Sequence, residues 1–368
     1  MKLIILKTNL VDALTVVERA VSENSSLPIL KHVLIKAFAG KITLIGTNLE
    51  LAVECFVSGK VVEEGETTAP FSLLNSIVKN LSAERVSLEE EGGKITVTTD
   101  NYQAVLQGQD AAEFPIIPSV QESAHRLAFP TELFRGALQE VIVAAQYSDI
   151  RPEISGVYFE YADREITLAA TDGFRLAERK IGLPDAGTPG EKLSAIIPLK
   201  TAAEVLKMFK GSETMEVFLE PNQILFASAS EKTISRVIDG SFPEYHAVIP
   251  HNPPHEVVVD RSEFINAIRL ASSFSGRGND ITVRVGDSKR VLEIYSADNT
   301  LGESSYKIPV KFKGEAFSVI FNWRYLLDGL RVFSGNEITL GVTSSDRAAL
   351  LHSTKEPQLI YVVMPIKG

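Results

Sequence analysis

A single cysteine, Cys55, stands among 368 residues, so no disulfide forms within the chain and a disulfide-stapled secreted scaffold is excluded. It lies in the largely apolar run 52–57, where a small buried hydrophobe is expected. No stretch approaches the roughly 20 apolar residues that span a bilayer. Residues 1–10 hold only a short apolar stretch, too short for a signal-peptide core and without a small-residue cleavage site. A soluble, cytoplasmic protein with no membrane partner is expected. Positive charge is also in deficit: Lys plus Arg number 37 against 47 Asp plus Glu, a net charge of −10. That argues against binding nucleic acid by net charge, but leaves room for a local basic surface. Hydrophobic residues at 45% and charged residues at 23% exclude a disordered chain, and the length predicts roughly two to three domains.

Catalytic signatures are missing too. There is no G-x-S-x-G, no G-x-x-x-x-G-K-[ST], no C-x-x-C and no H-E-x-x-H. The six histidines are His32, His125, His246, His251, His255 and His352. His251 and His255 are four apart, but the intervening Asn-Pro-Pro is not helical, so they need not share a face and no metal site is expected. The Gly-Arg-Gly of 276–278 follows a helix instead of opening one, which suits a turn better than a phosphate cradle. The run 89–91 of glutamates reads as a solvated hairpin end. No catalytic residue, cofactor or metal is nominated.

What the sequence does contain is itself, three times over. Residues 2–14 (KLIILKTNLVDAL), 126–138 (RLAFPTELFRGAL) and 256–268 (EVVVDRSEFINAI) align without gaps. Each is a short apolar strand followed by a helix start. Leu10, Phe134 and Phe264 superpose, as do Ala13, Ala137 and Ala267, and Leu14, Leu138 and Ile268, at the spacing of one buried helical face. A second block recurs at 69–81, 197–209 and 321–333, where Leu74/Val78/Leu81, Ala202/Leu206/Phe209 and Leu326/Leu330/Phe333 mark another buried face. Strand–turn–strand segments lie between, at 41–52, 165–176 and 292–301. Each copy therefore predicts β-α-β-β-β twice, an α+β unit of two helices packed on antiparallel sheets. Boundaries are expected at 117–125 and 249–255, giving domains 1–122, 123–252 and 253–368, and 182–192 reads as the connection between the halves of the middle copy. Strand edges in such an array are most economically protected by closure: either three units close alone, or two chains close head to tail.

The second-block helices place positive charge at matched sites. Lys79, Lys207 and Arg331 share one position, and seven residues earlier stand Ser72, Lys200 and Arg324. Positions i and i+7 lie on one side of a helix, offset from its buried face. Lys210 extends the second copy, and Arg19, Arg135 and Arg269 add cations on the first helices. Exposed cations also serve solubility, but their recurrence at equivalent sites favours a surface that meets phosphates without reading bases.

The three copies, together with SLPIL at 26–30, TDGFRLA at 171–177, DGSFPEY at 239–245 and YVVMPI at 361–366, resemble the bacterial DNA polymerase III beta subunits, the sliding clamps, over essentially the whole chain. The resemblance implies three tandem clamp domains closing into a ring as a head-to-tail homodimer, with no enzymatic activity. The ring would encircle double-stranded DNA without sequence preference, tether the replicative polymerase and be opened by a clamp loader. It also implies a pocket for short client peptides, carried over onto Ile154, Thr171, Gly173, Phe174, Arg175, Leu176, Pro243 and Val248, with Asn322, Tyr325, Val362, Met364, Pro365 and Ile366 from the C-terminal side. Phe174 stands where relatives carry histidine, Ala247 where they carry arginine, and Asn24 where they carry a basic loop residue. The dimer contact is expected around Ala104 and Leu106, and near Phe274. Two rival classes are a protein-only ring scaffold and an enzyme on a repeated fold whose site escapes motif search.

Overall fold

The computed structural model describes residues 1–22, 24–119, 125–183 and 192–367. The first copy contains β1 (Lys2–Leu6), α1 (Lys7–Val17), β2 (His32–Phe38), β3 (Lys41–Thr47), β4 (Leu51–Val57), β5 (Gly59–Glu63), β6 (Gly65–Pro70), α2 (Phe71–Asn80), β7 (Arg85–Glu91), β8 (Lys94–Thr98) and β9 (Gln103–Gln107). The second contains β10 (His125–Pro130), α3 (Thr131–Ile142), β11 (Gly156–Ala162), β12 (Glu165–Thr171), β13 (Arg175–Gly182), β14 (Leu193–Pro198), α4 (Leu199–Lys207), β15 (Thr214–Glu220), β16 (Gln223–Ala227) and β17 (Glu231–Arg236). The third contains β18 (His255–Asp260), α5 (Arg261–Ser272), β19 (Asp280–Val285), β20 (Val291–Asp298), β21 (Gly302–Pro309), β22 (Lys311–Lys313), β23 (Phe317–Asn322), α6 (Trp323–Val332), β24 (Glu337–Val342), β25 (Ala349–Ser353) and β26 (Glu356–Val363). The doubled β-α-β-β-β order holds in every copy, with β5 and β22 as short additions.

The chain divides into two compact units, residues 1–131 with 204–237, and 132–203 with 238–368. In the first, a five-stranded sheet runs β5-β1-β7-β8-β9 and an eight-stranded sheet runs β10-β15-β16-β17-β4-β3-β2-β6. In the second, a nine-stranded sheet runs β14-β11-β12-β13-β26-β25-β24-β18-β22 and a four-stranded sheet runs β21-β20-β19-β23. The strand pairing that joins copies is antiparallel in both units: Thr233 opposite Val53, and Ala177 opposite Tyr361. The middle copy is thus shared, its later strands in one unit and β11–β14 in the other.

The helical periodicity sets the cores. Leu10, Phe134 and Phe264, with Ala13, Ala137, Ala267, Leu14, Leu138 and Ile268, are all buried. On α4 the buried face is rotated from the expected one: Ala202 and Val205 are buried and Leu206 is half-buried. Residue 117 lies inside the predicted first boundary, and Ile117 packs against Leu34, Ile45 and Phe114 and against Leu225, Ala227 and Ile234 in the first unit. Residues 120–124, and 184–191 of the predicted 182–192 connection, lie outside the described residues. The glutamates of 89–91 end a hairpin closed by Gly92 and Gly93, both at positive φ, as their position between two strands requires. Cys55 is buried, and burial pushes its thiol up to about 12, which keeps it protonated and unreactive.

One close approach is testable. A Cβ on Gly329 of α6 would lie 2.4 Å from Cδ1 of the fully buried Tyr361. Gly329→Ala is expected to lower unfolding stability by roughly 1–2 kcal/mol, because ring displacement outweighs the gain in helix propensity. Urea unfolding followed by the fluorescence of Trp323, the one tryptophan, measures this; an unchanged or higher midpoint would show that the ring yields freely.

Candidate functional site

The second unit carries an apolar cluster on the face of the nine-stranded sheet away from Tyr361. Strand alternation puts Leu176 of β13 beside Val362 of β26, and Val362 beside Leu350 of β25. With Ala169 and Ala348 these form a buried apolar floor, on which Tyr245 of the crossing segment packs, and Met364 packs against it half-buried. The segment 242–249 crosses this face as a strap that carries Pro243, half-buried, and Val248, 52% exposed.

The rim is the turn between β12 and β13. Thr171 Oγ1 donates to Arg175 O at 2.6 Å and accepts from Gly173 N at 3.0 Å. Asp172 Oδ1 accepts from Phe174 N and Arg175 N, and Gly173 takes φ +87°, a conformation that favours glycine. The Arg175 side chain is clamped: Nε donates to Asp172 Oδ2 at 2.9 Å and Nη1 to Asp328 Oδ2 at 2.6 Å, while the guanidinium lies 4.5 Å from the Tyr325 ring centre. Burial works against its charge, but Tyr361, Asp328 and Asp172 more than offset that, so Arg175 stays cationic. Burial raises the Tyr325 hydroxyl, which remains neutral. Phe174 stands 61% exposed, its ring stacked toward Tyr325 at 6.4 Å. The tail closes the rim: Met364 N donates to Phe174 O and Ile366 N to Ile320 O, both at 2.8 Å. Asn322 caps α6 by accepting from Arg324 N, and Ile154 is buried in a short 3-10 turn at Pro152–Ile154. Pro365 and Ile366 are half-buried beside them. All fourteen residues named for the pocket thus fall in one unit.

The cations are placed differently. Lys79 on α2, Lys200 and Lys207 on α4, Arg324 and Arg331 on α6, and Arg269 on α5 are exposed, and Arg135 on α3 is half-buried. Two are not helical. Arg19 lies beyond the end of α1, because the chain tightens into bonds from Arg19 N to Val16 O and Ala20 N to Val17 O. Lys210 follows Phe209, whose φ of +58° ends α4. Each cation of the matched trio has a carboxylate at hand: Lys79 with Glu18 at 3.8 Å, Lys207 with Glu204 at 2.9 Å, Arg331 with Asp328 at 3.6 Å. Glu204 also accepts from Arg19 at 2.9 Å, and Arg135 pairs with Glu132. Partial burial works to raise the Glu204 carboxyl, but Lys207 and Arg19 bring it below the usual range. Arg324 bonds Asn279 and lies 4.6 Å from the Trp323 ring centre.

Comparison with known proteins gives the family. Three family models match in order: the N-terminal domain of the DNA polymerase III beta subunit over residues 1–118, its central domain over 128–244 and its C-terminal domain over 246–367. The chain belongs to the DNA polymerase III beta subunit family. It is built as three tandem clamp domains. It is 26% identical to the beta sliding clamp of Bacillus subtilis over 100% of both chains, and 28% identical to that of Synechococcus elongatus over 100% of this chain and 99% of the other. The crystal structure of the Bacillus subtilis DNA polymerase sliding clamp matches with a TM-score of 0.95 at 26% identity, covering 100% and 99% of the two chains. The fold is shared with a Pseudomonas aeruginosa sliding clamp bound to griselimycin, at a TM-score of 0.94 and 24% identity over 100% of both chains.

β9 is an edge of its sheet, with Ala104 half-buried, Val105 exposed and the Leu106 side chain 1% exposed. The Leu106 side chain therefore faces inward at this edge. β21 is an edge of the four-stranded sheet, and the half-buried Phe274 ring lies within about 4 Å of where a Cβ on its Gly302 would stand. Among the described residues, no group of three or more His, Cys, Asp or Glu is placed to hold a metal, and no helix is long and apolar enough to cross a membrane. Asp172, Asp328 and Glu204 were not nominated from sequence; the recurring acid near each cation was the available signal.

Proposed function

We propose that two copies of this sliding clamp close head to tail into a ring that encircles duplex DNA and holds the replicative polymerase to it, without catalysis of its own. The observation that carries this reading is the recurrence of one exposed cation in all three second helices, each within reach of a carboxylate. A surface ion pair is worth about 0–1 kcal/mol, so the carboxylate competes with phosphate but does not exclude it. Contacts of that kind are brief and sequence-blind, and retention then comes from topology. The bare edges of β9 and of a second copy's β21 supply complementary backbone rows for closure, with Phe274 beside them. The domain limits 1–122, 123–252 and 253–368 belong to this reading, supported by the spans of the family models. The groove takes the short peptides of the polymerase, the clamp loader and other clients, and also takes griselimycin. The protein acts in the cytoplasm, where the chromosome is copied.

The test is retention. After loading onto a nicked circular plasmid the protein is expected to stay bound through gel filtration. On the same plasmid cut once it is expected to leave at least tenfold faster. Equal loss from both would defeat the topological mechanism, and failure to associate with DNA at all would leave a protein-only scaffold.

A further inference from the structure

A carboxylate lies beneath the strap where an apolar side chain would suffice. Glu178 of β13 shares the groove face with Leu176, two residues along the strand, and is only 6% exposed. Burying a carboxylate costs free energy unless it is hydrogen-bonded, so its presence needs a reason. Tyr245 supplies one: its hydroxyl, on a side chain 5% exposed, donates to Glu178 Oε2 at 2.6 Å. His246 Nε2 lies 3.7 Å from the same oxygen, and the His246 ring stacks on Tyr245 at 4.2 Å. Phe242, three residues before, stacks on Tyr158 of β11 at 5.0 Å. The strap's apolar contacts are non-directional and tolerate sliding along the sheet. The Tyr245–Glu178 bond is directional and admits one register.

We propose that Glu178 and Tyr245 are positioning residues for the peptide groove, fixing the strap so that Pro243 and Val248 stand at the right height over Leu176 and Val362. The inference rests on the reading of this groove as the client site. Neither residue touches the client; both act through the strap. Loosening the bond leaves the floor intact and lets the wall drift, so a bound ligand is lost faster.

Griselimycin is the probe, its binding followed by surface plasmon resonance on the full-length protein. Tyr245→Phe removes one hydroxyl, and Glu178→Ala removes the acceptor. Each is expected to weaken binding about tenfold, chiefly through faster dissociation, and to raise amide exchange within 242–249 alone. Glu178→Gln keeps an acceptor for the hydroxyl and is expected to bind within about threefold of the parent. Leu176→Asp, on the floor, serves as the control for the groove itself. If Tyr245→Phe and Glu178→Ala bind like the parent while Leu176→Asp does not, the positioning role is overturned and the groove stands. If Leu176→Asp also binds like the parent, the groove reading fails. Should Glu178→Ala fail to fold, Tyr245→Phe, the smaller change, decides alone.

Discussion

Deleting residues 364–368 is expected to abolish binding of a client peptide, by at least a hundredfold in Kd, while light scattering reports an unchanged oligomer. Met364 packs against the apolar floor, and the tail holds the rim through Met364 N to Phe174 O and Ile366 N to Ile320 O. Truncating a single buried hot-spot contact costs on the order of 2 kcal/mol, roughly thirtyfold, and the deletion removes the contacts of Met364 and Ile366 together with the restraint on Phe174. The β9 and β21 edges proposed for closure are untouched, so the oligomer is expected to persist. Fluorescence anisotropy with a labelled peptide from the replicative polymerase measures the loss. An unaltered affinity would move the peptide site elsewhere on the protein.

Reversing the matched trio together, Lys79→Glu, Lys207→Glu and Arg331→Glu, is the second large effect. Each phosphate contact contributes about 0.9 to the slope of log K against log salt, so the slope is expected to fall by roughly 3 and binding to short duplex DNA by on the order of a hundredfold at low salt. Glu204→Gln is expected to act in the opposite sense, because it frees both Lys207 and Arg19 from their shared carboxylate. A triple variant with the parent slope would remove these helices from the DNA surface.

Much of this was legible beforehand, for a definable reason. Helical period is a local property, so Leu10, Phe134 and Phe264 were placed in the core from spacing alone, and the same alignment exposed Lys79, Lys207 and Arg331 as equivalents. The pocket residues came from the family resemblance, and they do gather in one unit. What escaped was non-local. Nothing in the spacing ties Arg175 to Asp328, or Glu178 to Tyr245, because those contacts depend on which strands become neighbours. Helix ends escaped as well: Arg19 and Lys210 sit past turns set by bonding and a positive φ at Phe209, which amphipathic spacing does not encode. The rotation on α4 has the same character. Val205, not Leu206, faces inward there, and only the packing around that helix decides between adjacent apolar residues.

The shared middle copy has a consequence for anyone who dissects this chain. Sequence repeats and compact units are out of phase: a fragment ending near residue 118 strips β4 of β17, and a fragment starting near 246 strips β26 of β13. Each such piece would bare the backbone groups of a strand that is interior in the intact protein, inviting it to zip onto a sister fragment. Modules that look separable on paper are spliced together by the very ladders that a cut between them would tear.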